Sequence, residues 1–263
     1  MSKAKAAPAQ AAGPDQRLYI QAVERAFRVL EAFGRNPQPL SLAEIAHHAG
    51  VDKSAAQRLC HTLRHLGYLE ADPRGRGLRP GLRLMDRSFD FLRMHPLVER
   101  ATPALMELRR ATQERVDLSL LDDLSIVYAV RLQSKRETFF ATLVGRRLPA
   151  FCSSGGRAMM ALMADEAVED ILARSDRRPL TPRTVTDLPG LRAKIAEARA
   201  DGHALACEEG LLGEIVLAAA IRDRDGQPVA AIHIAASLSD WDEASFRRRM
   251  APLAMEAARA LSG

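Results

Sequence analysis

The chain of 263 residues has few cysteines and no long hydrophobic run. No apolar stretch approaches the ~18 residues that a membrane-spanning helix needs, so we expect no membrane partner. Cys60, Cys152 and Cys207 stand far apart and form neither a CxxC pair nor a metal-ligand spacing, so we expect no disulfide framework and no metal. The N-terminal segment also lacks the hydrophobic core of a secretory signal. The sequence therefore predicts a reduced, cytoplasmic protein without a metal or cofactor.

Positive charge is concentrated in the first third of the chain. Residues 1–80 hold 12 Lys and Arg against 7 Asp and Glu, which accounts for the whole net charge of +5, and the remaining residues hold 26 of each sign. Such a local excess is typical of a domain that binds a polyanion. The hydrophobic fraction of 47% provides a sizeable core, and the length allows two domains.

A helix-turn-helix pattern lies within residues 41–69, which read SLAEIAHHAGVDKSAAQRLCHTLRHLGYL. Ser41 can cap a first short helix, Gly50 supplies the turn, and Asp52 or Ser54 can cap a second helix. A helix-turn-helix presents its second helix to the DNA major groove. The outward positions of that helix are all polar, namely Lys53, Ser54, Gln57, Arg58, His61 and Arg64. They predict DNA contacts, although a merely solvated helical face would show the same pattern.

An Arg- and Gly-rich turn follows the helix-turn-helix. A strand at 68–70, the turn DPRGRG and a second strand at 78–79 predict the wing of a winged helix, with a plain solvated hairpin as the alternative. Arg74, Arg76 and Arg79 are placed to meet phosphates or a minor groove. The predicted organisation is a disordered tail (1–18), a winged helix-turn-helix domain (19–80), a linker helix (81–96) and a second domain (97–263).

The second domain mixes strands and helices. Strands are predicted at 116–121, 126–132 and 138–144, and a hairpin of two longer strands at 215–222 and 229–236. Helices are predicted at 97–112, 155–163, 165–175, 189–201 and 241–261. This order indicates an α+β domain built around an antiparallel sheet.

Three ordered blocks resemble the IclR family of bacterial transcriptional regulators. The first contains RAFRVLE, LSLAEIA, KSAAQRLCHTL and LGYL; the second is GRRLPAFCSSGGRAMMA; the third is GHALACEEGLLGEIVLAAAIRDRDGQPVAAIHIA. The resemblance covers residues 23–257 and is strongest to the subgroup that senses aromatic acids. It implies a winged helix-turn-helix joined to a GAF-like effector-binding domain, in a homodimer or tetramer that binds a palindromic operator in double-stranded DNA.

The resemblance also implies an effector site for a small organic acid. Its residues would be Ser153, Ser154, Gly155, Gly156, Ala206, Cys207, Val216, His233 and Ala235. Ala206, Val216, His233 and Ala235 depart from the family members that sense small acids and favour a larger, less polar effector. Gly156 replaces a frequent Met and could enlarge the cavity. Arg131 and Arg157 could bind a carboxylate or form surface salt bridges instead, and His233 could equally be a core histidine.

Three functions are compatible with these features. The first is a ligand-responsive transcriptional regulator of a catabolic operon, either a repressor or an activator. The second is an enzyme that converts a small molecule and has an accessory DNA-binding domain. It is weakened by the absence of a GxSxG, HExxH or P-loop spacing and by the opposite orientation of the adjacent Glu208 and Glu209 on a strand. The third is an architectural DNA-binding protein, against which the large neutral second domain argues.

Overall fold

The computed structural model describes residues 15, 17–35, 38–133 and 143–263, which form two compact units, 1–89 and 90–263. Most of the predicted tail 1–18 and most of the predicted strand 138–144 lie outside the described residues. None of the helices in the described part of the chain is long and apolar enough to cross a membrane.

The first unit is a three-helix cluster with a two-stranded ribbon. Its elements are α1 (Gln21–Glu31) with a following 3-10 turn (Ala32–Arg35), α2 (Leu42–Ala49), α3 (Lys53–His65), β1 (Leu69–Ala71) and β2 (Leu78–Pro80). A capping box between Ser41 and Glu44 starts α2, and Gly50 ends it in the left-handed conformation. Asp52, rather than Ser54, caps α3 by accepting a hydrogen bond from Ala55 N at 2.8 Å.

The ribbon is tied to the segment before α2. Strands β1 and β2 pair in antiparallel fashion, and Leu40 adds a further rung by exchanging backbone hydrogen bonds with Leu78. Gly77 has a φ of +129°, and a Cβ there would lie only 2.3 Å from Leu40 O, so the turn requires glycine at this position. The helix-turn-helix and its wing therefore form as the sequence predicts.

Helix α4 (Arg83–Met94) begins in the first unit and ends in the second. None of its residues is buried. Met85 and Phe89 are exposed, as is Leu82 just before the helix, whereas Leu92 packs partly against the core of the second unit. Most apolar side chains of the predicted linker helix are therefore not covered by core packing within the described part of the chain.

The second unit is an antiparallel six-stranded sheet with helices on both faces. Its strands are β3 (Arg115–Asp122), β4 (Ser125–Leu132), β5 (Arg147–Pro149), β6 (Ala204–Cys207), β7 (Glu214–Arg222) and β8 (Pro228–Ser237). They lie in the order β5-β4-β3-β8-β7-β6. The helices are α5 (Pro96–Thr112), α6 (Ser154–Met160, after a 3-10 turn at Ala150–Cys152), α7 (Asp165–Arg174), α8 (Leu188–Asp201) and α9 (Glu243–Leu261).

The two faces of this sheet differ in chemistry. Apolar residues such as Leu118, Leu217 and Ile232 pack under α5 and α9 to form the main core. The opposite face packs against α6 and carries the buried polar side chains. The predicted α+β fold class is confirmed, and the predicted hairpin extends one residue further at the start of β7 and at both ends of β8.

Candidate functional site

The outward face of α3 is free of intramolecular packing. Ala55, Ala56, Cys60 and Leu63 are buried against the helical core, which turns the predicted DNA-contacting side chains outward. The exposed residues are Lys53, Ser54, Gln57, Arg58, His61 and Arg64. This face is therefore available to phosphates and base edges.

The ribbon turn presents two arginines beside this helix. The carboxylate of Asp72 accepts hydrogen bonds from the backbone N–H groups of Arg74 (3.1 Å) and Arg76 (3.4 Å), and both residues are exposed. Arg79 differs because it forms an ion pair with Glu70 across the ribbon at 2.8 Å. The tip of the wing therefore offers Arg74 and Arg76 as cations that form no ion pair with the part of the chain that the structure describes.

A row of polar side chains crosses the sheet face beneath α6. Arg115, Asp117 and Ser119 alternate along β3 with Val116 and Leu118, which point to the apolar core. Side chains at every second strand position share a face. The polar row is therefore built into the strand and packs against the segment that contains α6.

Asp117 joins two arginines in a cluster in which the Asp117 and Arg131 side chains are fully buried and the Arg115 side chain is 11% exposed. Its carboxylate accepts bonds from Arg131 Nε (3.1 Å), Arg131 Nη2 (3.0 Å) and Arg115 Nε (3.0 Å). Arg115 Nη1 donates to Glu214 Oε1 at 2.7 Å. Burial alone lowers the pKa of Arg115, but the carboxylates of Asp117 and Glu214 outweigh it, so the pKa is raised and the guanidinium stays charged.

His233 lies in the middle of the same face and is fully buried. A hydrogen bond of 2.7 Å joins its Nε2 to Ser119 Oγ, and Nδ1 lies 3.4 Å from Ser154 Oγ. Burial, assisted by the nearby Arg131 and Arg115, lowers the pKa of His233 to about 3. The imidazole is therefore neutral at pH 7, where it can donate one hydrogen bond and accept another.

A second buried ion pair joins Arg157 of α6 to Glu209, which follows β6. Arg157 donates to both oxygens of Glu209, at 2.5 and 2.6 Å, and its Nε donates to Phe151 O at 2.9 Å. Glu209 Oε2 also accepts a bond from Val185 N at 3.0 Å. Arg157 is thus committed to a carboxylate of its own chain in the interior, which is neither of the two roles expected from the sequence.

A small cavity lies between these two ion pairs. Its free volume is about 20 Å³, enough for roughly one water molecule. The residues that line it are Tyr128, Leu148, Cys152, Ser153, Ser154, Ala206, Glu209, Gly210, Glu214 and Val216. Burial raises the pKa of the Cys152 thiol to about 12, so this cavity residue is a neutral thiol at pH 7.

Four residues of the expected effector site line the cavity: Ser153, Ser154, Ala206 and Val216. Gly155, His233 and Ala235 belong to the buried layer behind it: Gly155 contacts His233, and Ala235 pairs with Val216 across the ladder. The expectation for Cys207 does not fit the strand geometry. Cys207 pairs with Ile215, which belongs to the core on the opposite face, because successive residues of a strand point to opposite sides.

Gly156 does not enlarge the cavity. A Cβ at this position would lie 2.2 Å from Ala150 O, so the glycine allows the helix to approach the preceding backbone. Its backbone N–H donates to Ser153 Oγ at 3.1 Å, so this N–H at the start of α6 is not available to a ligand carboxylate. Any side chain at this position would therefore require a different local backbone.

Tyr128, Asp117 and Glu214 are functional candidates that were not predicted from the sequence, and Glu209 was considered only as the neighbour of Glu208 in a possible enzyme. The alternation of Arg115, Asp117 and Ser119 with apolar residues was a readable signal for a polar buried sheet face. Among the described residues, no group of His, Cys, Asp and Glu could hold a metal ion. The site is therefore a buried polar cavity with paired cations behind it.

Together, the helix-turn-helix with its wing and the second unit with its polar cavity define a DNA-binding protein with a small-molecule domain. Residues 22–73 match the profile of the IclR helix-turn-helix domain, and residues 89–263 match that of the C-terminal domain of bacterial transcriptional regulators of the IclR type. The chain belongs to the IclR family of transcriptional regulators.

Individual relatives agree with this assignment. The Pca regulon regulatory protein of Pseudomonas putida is 30% identical over 261 residues, which cover 99% of this chain and 88% of that protein. A crystal structure of a transcriptional regulator from Rhodococcus sp. RHA1 is similar with a TM-score of 0.77 and 29% identity, over 92% of this chain and 97% of that one. An IclR homologue from Microbacterium hydrocarbonoxydans, complexed with 4-hydroxybenzoate, is similar with a TM-score of 0.72 and 25% identity, over 92% and 97%.

Proposed function

We propose that this protein senses a small aromatic carboxylic acid in its second unit and controls a catabolic operon through its DNA-binding unit. The observation that carries the proposal is the buried cavity between two arginine–carboxylate pairs, in a chain that also presents an exposed, polar α3. The 4-hydroxybenzoate complex of a structural relative supports the choice of effector class. The regulatory names of the relatives favour this function over an enzyme.

In the DNA complex, α3 enters the major groove. Gln57, Arg58 and His61 read base edges, Lys53 and Ser54 contact the backbone or bases at the start of the helix, and Arg74 and Arg76 of the wing contact phosphates or a minor groove. The functional domains we assign are 19–80 for DNA binding, 81–96 for the linker helix and 97–263 for effector binding.

The DNA-bound form is a homodimer or a pair of dimers. Val23 and Phe27 of α1 and Met85 and Phe89 of α4 are exposed apolar side chains, which supports an interface between copies on these helices. A two-fold dimer presents two recognition helices about 34 Å apart, which implies a palindromic operator. The cytoplasm, where bacterial DNA lies, is the place of action.

A mobility shift with the DNA upstream of the protein's own gene tests the DNA-binding half. We expect a retarded complex at low salt that weakens steeply as salt rises. Arg58→Ala should weaken the complex, and the matched control Arg178→Ala, a surface arginine paired with Asp176, should not. Absence of any complex at low salt would refute this half.

Thermal denaturation with a panel of acids tests the sensing half. 4-Hydroxybenzoate, benzoate and glyoxylate serve as probes, with 4-hydroxybenzamide as a neutral analogue. A ligand that binds only the folded chain raises the melting temperature with its concentration. Stabilisation by an aromatic acid supports the proposal, and stabilisation by glyoxylate alone contradicts the aromatic class.

A further inference from the structure

The cavity has little free volume, and two of the protein's own carboxylates line it. A free volume of about 20 Å³ cannot accept an aromatic acid, so at least one lining side chain must leave for the ligand to enter. Two of the lining residues are acidic, Glu209 and Glu214. Glu209 forms an ion pair with Arg157, and Glu214 forms one with Arg115. An anionic ligand would meet repulsion from both unless one of them is displaced.

The two glutamates differ in how firmly they are held. The Glu209 side chain is 4% exposed, is bound by two nitrogens of Arg157 and accepts a further bond from Val185 N. The Glu214 side chain is 16% exposed and, among the described residues, has a single hydrogen bond, from Arg115 Nη1. Glu214 is also the first residue of β7, directly after the exposed Leu211–Gly213 segment. Rotation of the side chain into solvent should therefore cost less free energy for Glu214 than for Glu209.

The cluster contains a buried hydrogen-bond donor that has no acceptor among the described residues. Arg131 Nη1 has no hydrogen-bond partner among the described residues, although the Arg131 side chain is fully buried. The Arg131 guanidinium lies 3.9 Å above the ring of Tyr128, which is a wall of the cavity. A buried, charged donor without an acceptor is costly, and a ligand carboxylate would remove that cost.

We propose that the effector enters by carboxylate exchange: its carboxylate displaces Glu214 from Arg115 and accepts hydrogen bonds from Arg115 and from the unpartnered Nη1 of Arg131. The inference rests on the proposed function and names the group that the ligand must carry. Before exchange, Arg115 and Arg131 are balanced by Asp117 and Glu214. After exchange, the ligand takes the place of Glu214, so the interior keeps a net charge of zero. A neutral ligand offers no such replacement, which makes Arg115, Arg131 and Glu214 determinants of carboxylate specificity.

Calorimetric binding of 4-hydroxybenzoate and of 4-hydroxybenzamide to the full chain tests this exchange. Glu214→Gln weakens the internal competitor, so we expect it to raise the affinity for 4-hydroxybenzoate by about 5-fold or more, whereas the amide, which cannot replace a carboxylate, should bind at least about 10-fold more weakly than the acid to both proteins. Glu166→Gln, an exposed glutamate of α7 with the same change in charge, is the matched control and should change neither affinity. Glu214→Asp, which keeps the charge on a shorter side chain, should fall between Glu214→Gln and the wild type.

Arg131→Gln tests the other side of the exchange. It should lower the affinity for 4-hydroxybenzoate by about 10-fold or more, and a cooperative urea transition like that of the wild type would show that the variant has folded. An unchanged or weaker affinity of Glu214→Gln for 4-hydroxybenzoate, with binding by the wild type intact, would overturn the exchange and leave the proposed function standing. Failure of the wild type to bind any aromatic carboxylate would instead refute the proposed effector class, and the exchange with it.

Discussion

The imidazole of His233 packs directly against the backbone of Gly155: a Cβ on Gly155 would lie 2.3 Å from His233 Cε1 and 2.5 Å from Nε2. This contact brings α6 close enough to the sheet for Ser154 Oγ to reach His233 Nδ1. Any larger side chain at position 155 must push α6 away from β8. The position of the start of α6, which lines the cavity, therefore depends on the absence of a side chain at Gly155.

Gly155→Ala should consequently destabilise the protein by about 1–3 kcal/mol, the usual cost of overpacking a dense core. Urea denaturation measures the change. The control is Gly34→Ala, where a Cβ would have no atom within 4 Å and where we expect a change of less than about 0.5 kcal/mol. Equal stabilities of the two variants would contradict the close packing.

His233 should make stability depend on pH. Its pKa is about 3 in the folded chain, mainly because of burial, against the ordinary 6.5 when unfolded. Between these values the unfolded chain binds the additional proton, so stability falls as the pH falls through this window, by up to about 1.4 kcal/mol per pH unit. His233→Gln should reduce the slope of unfolding free energy between pH 6 and 4 by that amount. The exposed His65→Gln should leave it unchanged, and identical slopes for all three proteins would be the contrary result.

The Arg157–Glu209 pair should be far more sensitive to truncation than a surface pair. Glu209→Ala leaves a buried guanidinium without its carboxylate, and we expect a loss of about 3–5 kcal/mol in unfolding free energy. Glu169→Ala breaks the exposed pair with Arg192, which water screens, and should leave the unfolding free energy almost unchanged. Chemical denaturation measures both changes. A similar loss of unfolding free energy in both variants would show that burial does not determine how much the Arg157–Glu209 pair contributes to stability.

Much of the fold could be read from the sequence because local signals and tertiary structure agree. Ser41, Gly50 and Asp52 mark the helix ends by capping, and the two long strands of the C-terminal hairpin are continuous apolar runs. These features act over a few residues. Periodicity and capping therefore predicted the helix-turn-helix and the hairpin.

The cavity was only partly predictable, because its polar contacts join residues far apart in sequence. Arg157 meets Glu209, and Arg115 meets Glu214, across separations of 52 and 99 positions that no local pattern encodes. The assignment of both Ala206 and Cys207 to one cavity overlooked the alternation of side chains along a strand. That rule excludes one residue of the pair, and the structure identifies it as Cys207.

Substitutions in the DNA-binding unit should distinguish residues that recognise the base sequence from residues that neutralise phosphate charge. Arg58→Ala removes a side chain placed to contact a base and should weaken operator binding by about 10-fold or more, with less discrimination against altered sites. Arg74→Ala removes a wing contact to phosphate. It should weaken binding to all sequences alike and lower the salt slope by about 1. Fluorescence anisotropy over a salt series measures both quantities, and an equal loss of discrimination in both variants would contradict the assignment.

The central claim is that an aromatic carboxylate bound in the second unit changes DNA binding by the first. The most direct test is the Kd for labelled DNA from upstream of the protein's own gene, measured with and without saturating 4-hydroxybenzoate. We predict a change in this Kd of about 5-fold or more, with a change of the same factor in the affinity for 4-hydroxybenzoate when DNA is bound. A Kd that stays constant with every carboxylate shown by calorimetry to bind would contradict the account.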